Sequence, residues 1–241
     1  MKQVFLEKDL NKLKKYININ ETPWKWDKEY TKKTLKYIKY IKWIPWIRMI
    51  WIWNSISMNS WTKESDIDLY IVSSKNRLWL VRILTTLIFQ ILGIRKTWKK
   101  HEWRFCLSFF STLEWMDFSI FKISNDIYLY FWIIYFKPLL SYNNTYELFI
   151  KKNNSWANFE IYKNTIEANK KNIIYKWNKK TTNSIILNKI NIILKNIFEK
   201  KTKLSYKKLW KPYWIIISEN ILKFHNWDIR KKISEKIFKN S

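Results

Sequence analysis

Apolar residues recur every three or four positions in residues 6–19 and again in 28–42, with lysines on the opposite face of each segment. This spacing predicts two amphipathic helices. Proline cannot continue a helix, so the second helix must end before Pro45. The apolar run Ile47–Trp53 and the β-branched and aromatic run Asp66–Val72 predict two strands, joined by a polar connection.

The rest of the chain predicts an apolar helix, further strands and a helical second half. Residues 77–93 form the apolar helix, which ends at the only glycine of the chain, Gly93. Arg104–Ser111 reads as a third strand, and Phe118–Ile123 is a weaker candidate for a fourth. Helical spacing then covers residues 126–140, 145–152, 183–199 and 219–239. Residues 163–183, rich in Lys and Asn, fit either a long solvated helix or a mobile arm.

This order of elements predicts an α+β fold. We expect a small mixed sheet flanked by helices, with a mainly helical C-terminal half. Residues 1–125 are expected to hold the N-terminal helices and an α+β domain whose core is 44–125. Residues 126–241 are expected to form a helical C-terminal region.

Charge and cysteine content narrow the class of protein. The 241 residues include 46 Lys and Arg against 19 Asp and Glu, a formal net charge of +27. Such a charge attracts polyanions through counterion release, while 47% hydrophobic residues exclude a disordered polycation. A single cysteine excludes an intramolecular disulfide framework and favours a cytoplasmic location. Residues 1–8 lack the apolar core of a signal peptide, and the apolar stretches are short, so we expect no membrane association.

The counts of glycine and tryptophan are abnormal, at 1 and 17. At an average glycine usage of ~7%, a chain of this length holds roughly 17. We interpret many of the Trp positions as UGA codons read as glycine in the source, an alternative genetic code. The other interpretation is an aromatic surface that stacks nucleic-acid bases.

The recoding hypothesis makes predictions about individual positions. Trp53, Trp61 and Trp227 are expected in a phosphate-facing turn, an exposed loop and a tight turn, where glycine's freedom at positive φ is useful. Trp103, directly before Arg104, fits the same pattern. Trp79 lies inside the apolar helix, so we expect a true tryptophan buried against the sheet.

Two aspartates on the second predicted strand carry the clearest chemistry. Side chains at i and i+2 of a strand point to the same face, so Asp66 and Asp68 project together. Two adjacent carboxylates repel unless a cation lies between them, and this arrangement is typical of a site that binds Mg²⁺ together with phosphate oxygens.

The residues around this pair resemble a known signature. Asn54-Ser55, followed after a polar connection by Ser65-Asp66-Ile67-Asp68-Leu69, resembles the motif of the DNA polymerase beta-like nucleotidyltransferase superfamily. That motif is a strand ending in Gly-Ser or Gly-Gly and then Asp-x-Asp on the next strand. Further segments resemble a little-studied bacterial and archaeal group of the superfamily: Arg77–Arg82, Arg104–Phe110 and Asp126–Leu129. The similarity spans residues 30–160.

The resemblance implies a nucleotidyltransferase-type sheet and an Mg²⁺-dependent transferase. Such an enzyme moves a nucleoside monophosphate from a nucleoside triphosphate to a hydroxyl acceptor, which here is RNA, protein or a small molecule. Asp66 and Asp68 would hold two Mg²⁺ ions at the catalytic centre. Asn54, Ser55 and Ser65 would bind the nucleotide. We expect the two carboxylates side by side on a central strand, with Ser55 at the same cleft.

The chain departs from the family at the third carboxylate, which usually lies on the following strand. Arg104–Ser111 carries no acid at the alternate positions. Asp117 is our first candidate for the missing catalytic group, with Glu114 and Glu102 as further candidates. Without such a group, a catalytically impaired nucleotide- or RNA-binding protein, or an antitoxin-like partner-binding protein of the same fold, is the alternative.

The remaining reactive side chains carry less weight. Cys106 lies on an apolar strand, and we interpret it as a packed core thiol rather than a nucleophile. His101 and His225 are far apart in sequence, which favours solvated or capping roles over metal binding.

Overall fold

The computed structural model describes residues 2–19, 25–53, 64–97, 99–180, 184–207, 215–224 and 229–238. Asn54, Ser55, Trp61 and Trp227 lie outside these ranges, so the predictions made for them stay predictions.

Helices and strands alternate along the described chain. The helices are α1 (Glu7–Tyr16), α2 (Lys25–Ile41), α3 (Leu78–Ile91), α4 (Ile127–Tyr135), α5 (Thr145–Asn153), α6 (Lys163–Lys170), α7 (Ile185–Lys207) and α8 (Arg230–Phe238). The strands are β1 (Ile47–Trp53), β2 (Ile67–Ser73), β3 (Phe105–Thr112), β4 (Lys137–Tyr142), β5 (Tyr175–Trp177), β6 (Ile216–Ile217) and β7 (Ile221–Lys223). Short 3₁₀ turns cover Leu113–Trp115, Phe118–Phe121 and Glu160–Tyr162.

The strands form one mixed sheet in the order β5-β4-β1-β2-β3-β7-β6. β1 is antiparallel to both β2 and β4, whereas β2 and β3 are parallel. The parallel step from β2 to β3 needs a crossover, which α3 supplies. β2 therefore lies at the centre of the sheet, with a neighbour on each side.

Side chains alternate along every strand, so both faces of the sheet carry apolar residues. Helices cover each of these faces. On β2, Tyr70 and Val72 belong to the core beneath α1, α4 and α8. Ile67, Leu69 and Ile71 belong to the opposite core, beneath α2, α3 and α7. The mixed α/β class and the helices of the C-terminal half are confirmed.

The second half of the chain also contributes strands that the periodicity missed. The helix predicted for 126–140 ends at Tyr135, and β4 follows it, pairing with β1. Pro138 cannot continue a helix, and β1 offers it a strand neighbour. Residues 163–183 contain α6 and β5 rather than one long helix, and β7 begins the segment 219–239 that was predicted as helical.

Phe118–Ile123 is not a fourth strand, because local hydrogen bonds favour a 3₁₀ turn. The carboxylate of Asp117 accepts a hydrogen bond from the Ser119 amide at 2.8 Å. The Phe118 amide donates to Asn153 of α5 at 2.9 Å. These two bonds satisfy backbone donors that a strand would have paired with a neighbour.

The described tryptophans range from buried to exposed, and the predictions for individual positions have different outcomes. Trp79 is fully buried on α3, which confirms that prediction. Trp53 was predicted in a phosphate-facing turn, and this was wrong: it is the last residue of β1, pairs with Asp68 and is 1% exposed. Its ring lies 4.2 Å from that of Trp132, centroid to centroid. Trp43, by contrast, is 68% exposed.

Trp103 has a backbone conformation that is unusual for an aromatic residue. Its φ is +57°, in the left-handed region. Among the described residues with positive φ, all the others are asparagine or glycine, the types that adopt this region most readily. Position 103 therefore has the backbone geometry that glycine favours.

No helix within the described ranges combines the length and apolar character that crossing a membrane requires.

Candidate metal and nucleotide site

The two aspartates lie together at the start of the central strand. Asp66 immediately precedes β2 and Asp68 is its second residue, so both side chains point to one face. Their carboxylate oxygens and the sulfur of Cys106 all lie within 4.8 Å of one another. The prediction that the pair lies side by side on a central strand is confirmed.

Cys106 joins the aspartates because of the register between parallel strands. β3 pairs with β2 so that Cys106 stands opposite Asp68. Its side chain is half-buried and lies beside the carboxylates. Cys106 was interpreted as a packed core thiol, and the structure adds its place beside the two carboxylates, which a single strand's apolar pattern does not reveal.

Burial and mutual repulsion make this cluster unfavourable in its charged form. Burial raises the pKa of Asp66, and the charge of Asp68 raises it further. Lys96 opposes both effects, because its ammonium lies 2.5 Å from the Asp66 carboxylate. Burial also raises the pKa of the Cys106 thiol, and the charges of Asp68 and Asp66 raise it further.

Lys96 responds to the same group of charges. Burial lowers its pKa, but the charges of Cys106 and Asp66, and the hydrogen bond to Asp66, outweigh burial and raise it. One ammonium thus faces two carboxylates and a thiol. When both carboxylates are ionised, Lys96 compensates one negative charge, so the cluster can still bind a cation.

A cleft of about 650 Å³ opens beside the cluster. Its lining includes Cys106 and Lys96 and three further basic side chains, Arg82, Arg95 and His101. The cleft exists because β7 pairs only with Phe109–Ser111, so the first part of β3 has no β7 partner on that edge. Residues of the 94–96 segment hydrogen-bond to Phe105 instead and bring Lys96 to Asp66.

Two aromatic rings line the other part of this cleft. Tyr206 of α7 and Phe224 stack with their centroids 5.3 Å apart and their planes 9° apart. The Arg82 guanidinium lies over the Phe224 ring, 4.3 Å from its centroid, and donates to the Leu107 carbonyl at 2.9 Å. Burial lowers the pKa of Arg82 to about 10, so the group stays charged at neutral pH.

Ser65 connects the cluster to a second, larger groove. Its carbonyl accepts hydrogen bonds from the Tyr30 hydroxyl at 3.2 Å and from the Trp103 amide at 3.1 Å. Trp103 stacks on Tyr30, and its carbonyl accepts from Lys33 at 2.6 Å. The groove that begins here follows α2 and has a volume of about 1110 Å³. Its charged lining residues are Lys28, Glu29, Lys32, Lys33, Lys36, Lys39 and Lys137.

The structure does not bring the candidates for a third carboxylate into the cluster. Asp117 follows the opposite end of β3, where it caps the 3₁₀ turn that begins at Phe118. The six residue steps from Cys106 to Thr112 alone span ~20 Å of extended strand. Within the described ranges, neither Glu114 nor Glu102 is part of the metal-ligating group that contains Asp66 and Asp68. The position opposite Asp68 is held by Cys106.

Comparison with known proteins adds no assignment. No protein-family model, curated protein or solved structure matches the chain.

Sequence reasoning found the acidic pair and missed most of its surroundings. Arg95 and Lys96 were assigned no role, His101 was interpreted as solvated or capping, and Tyr206 is more than a hundred residues from the motif. The one signal available in the sequence was Cys106, which occupies the alternate position on β3 where the third acid was sought.

Proposed function

We propose that the protein is a divalent-metal-dependent nucleotidyltransferase, acting in the cytoplasm, where its free thiol stays reduced. One observation carries this proposal: two adjacent carboxylates at the start of a central strand lie beside Cys106 and Lys96, which line a cleft together with cationic and aromatic side chains. Carboxylates bind the metal, cations bind phosphates and aromatic rings stack on bases.

The donor set of the acidic pair fits Mg²⁺. Asp66 and Asp68 are partly to largely buried and repel each other, and Lys96 neutralises only one of the two charges. Mg²⁺ is held in proteins by one or two carboxylates together with substrate phosphates. When bound, two Mg²⁺ ions neutralise charge on the attacking and leaving oxygens of the transferred phosphoryl group.

The cleft accommodates a nucleoside triphosphate with its phosphates toward β2. Lys96 and Arg95 supply positive charge for the phosphate oxygens, and His101 lies on the same lining. Tyr206 is the ring proposed to stack on the base, because Phe224 is already covered by Tyr206 and by the Arg82 guanidinium. The acceptor hydroxyl attacks the α-phosphorus and loses its proton to solvent, the bond from the α-phosphorus to the bridging oxygen breaks, and pyrophosphate leaves with that electron pair.

RNA is the acceptor that the α2 groove fits best. Six lysines and one glutamate line it, and its lining includes Trp103, whose amide donates to the carbonyl of Ser65, the residue before Asp66. A basic groove with aromatic side chains suits single-stranded nucleic acid. Lys32→Glu with Lys36→Glu should weaken binding of labelled single-stranded RNA and reduce its salt slope by about 1 per lysine. Lys8→Glu with Lys12→Glu, on the other side of the sheet, is the matched control.

Nucleotidyl transfer is tested with triphosphates labelled at the α-phosphorus, in the presence of Mg²⁺. Wild-type protein should label RNA and release pyrophosphate, whereas Asp66→Asn and Asp68→Asn should reduce labelling by at least ~100-fold. Glu160→Gln changes an exposed acid outside the site and should keep full activity. Equal labelling by wild type and both aspartate variants would show that the wrong residues were chosen.

A nucleotide- or RNA-binding protein without turnover is the second candidate, and the position of Cys106 favours it. Cys106 replaces the expected third acid opposite Asp68, and Asp117 lies at the far end of β3. This candidate predicts saturable nucleotide binding by the wild type with no pyrophosphate release at any acceptor concentration. It also accommodates an antitoxin-like role, in which nucleotide binding is retained and the partner is a protein.

A further inference from the structure

The cluster on β2 and β3 mixes hard and soft donors. Asp66 and Asp68 provide carboxylate oxygens, and Cys106 provides sulfur within 4.8 Å of both. Mg²⁺ takes oxygen ligands, whereas zinc binds thiolate, imidazole and carboxylate. The set of atoms that meets here is therefore not the set that Mg²⁺ alone selects.

We propose that Asp66, Asp68 and Cys106 form a three-ligand site for a thiophilic divalent cation of the Zn²⁺ class. Three protein ligands with a fourth position open to solvent or substrate is the pattern of catalytic zinc sites. Cys106 is part of the cleft lining, so the cleft gives a cation a path to the cluster. The proposal uses the acidic pair of the proposed function but does not depend on nucleotidyl transfer.

The surroundings of Cys106 distinguish it from a thiol that only fills space. A packing cysteine lies among apolar side chains, whereas Cys106 stands opposite Asp68 across a strand pair and beside Asp66. The register between β2 and β3 shifts directly after Asp68, so the two strands are locally irregular at the cluster. Such bulges are frequent next to functional sites, where they redirect side chains.

Binding of the cation is a balanced exchange. The thiol of Cys106 loses its proton to solvent, the sulfur lone pair forms the bond to the metal, and the metal gives up coordinated waters to the three ligands. Asp66 exchanges the Lys96 ammonium for the cation, and Lys96 remains on the cleft lining, 39% exposed. A divalent ion supplies two charges where the ammonium supplied one.

The experiment uses Co²⁺ and Cd²⁺ as probes on the full chain after treatment with a chelator. Both ions give a charge-transfer absorption when they bind a thiolate, and Cys106 is the only cysteine of the chain, so the band has a single assignment. We expect a 1:1 titration with wild type, retained in excess Mg²⁺. Zn²⁺ should displace Co²⁺ and bleach its band.

Variants test whether each side chain binds the metal directly. Cys106→Ser should abolish the band and weaken Zn²⁺ binding at least ~100-fold. Loss of a residue that only hydrogen-bonds a metal ligand already costs up to ~100-fold in affinity. Asp68→Asn keeps the thiol and should weaken Zn²⁺ binding at least ~10-fold, which maintains the test if Cys106→Ser fails to fold. Glu160→Gln should leave the titration unchanged.

Two results would overturn the proposal: a folded wild type that gives no thiolate band with either probe, or a band that Asp68→Asn leaves at full affinity. Neither result bears on nucleotidyl transfer with Mg²⁺, which is measured separately. Conversely, a thiolate band from a protein that transfers no nucleotide would support the site and refute the proposed activity.

Discussion

Asp126 and Arg230 form a buried ion pair across 104 residues of sequence. The Arg230 guanidinium donates to the Asp126 carboxylate at 2.7 Å, and the two side chains are 6% and 0% exposed. The same carboxylate accepts from the amides of Leu129 and Ile123, so it also caps α4. This one carboxyl group therefore fixes the start of α4 and holds α8 against it.

Removing one partner of this pair should strongly destabilise the fold. Asp126→Asn leaves a buried guanidinium without its counter-charge, and we expect a loss of about 3–5 kcal/mol in the free energy of unfolding. Urea denaturation measures the change. Glu160→Gln breaks an exposed pair with Lys163 and should change stability by less than ~0.5 kcal/mol. Similar losses from both variants would mean that Asp126 and Arg230 are not buried together.

Asn191 of α7 should stabilise the start of α3. Its side-chain oxygen accepts hydrogen bonds from the amides of Trp79 at 3.1 Å and Leu80 at 3.2 Å. The first amides of a helix have no partner within it, so a side chain from α7 replaces the usual local cap. Asn191→Ala should cost about 1–2 kcal/mol.

Asn196→Ala is the control for that variant, because Asn196 is exposed on the same helix. Both substitutions change helix propensity in the same way. The difference between their effects on thermal unfolding therefore measures the contribution of the Asn191 hydrogen bonds to α3. A cost that is the same at 196 and 191 would contradict the capping role.

Lys179 should give the protein a rise in stability at alkaline pH. Burial, aided by the charge of Arg48, lowers its pKa to about 8. In the unfolded chain the pKa is about 10.4, so the unfolded state binds more protons between these values and stability rises with pH across that window. The contribution is complete above about pH 10.4 and is lost as pH falls through about 8.

Unfolding by urea at several pH values between about 7 and 10.4 measures this slope. Lys179→Met should remove the contribution of Lys179 to the slope of stability against pH. Lys180→Met, at an exposed neighbouring position, should keep the wild-type slope. A slope that Lys179→Met leaves intact would assign it to other groups.

Position 103 should accept glycine better than alanine. Both substitutions remove the ring stacked on Tyr30, so the difference between them isolates the backbone at φ +57°. Trp103→Gly should be more stable than Trp103→Ala by about 1 kcal/mol, because an L-residue is strained in the left-handed region. Ala168→Gly, on the exposed side of α6, should show the opposite sign, a loss of about 0.5–1 kcal/mol. The intact mass of the natural protein decides how many of the 17 Trp positions are glycine.

Local patterns in the sequence were sufficient for β1, α3 and the acidic pair. β1 was predicted with its observed bounds, since an apolar run before a polar connection has few alternatives. The i, i+2 spacing of Asp66 and Asp68 places both on one face of any strand, whatever lies beside it. These features depend on neighbours in sequence and needed nothing more.

The composition of the site depended on long-range register and packing. Cys106 reaches Asp68 only because β3 pairs with β2 in parallel, and Tyr206 reaches the cleft only because α7 packs over α3. The first part of β4 formed where periodicity predicted helix, since pairing with β1 outweighed local propensity over residues 137–140. Trp53 was assigned to a turn because glycine would belong there, yet the sheet continued through it and buried the ring. Hydrogen bonds and burial between distant residues are properties of the folded chain, and no window of sequence contains them.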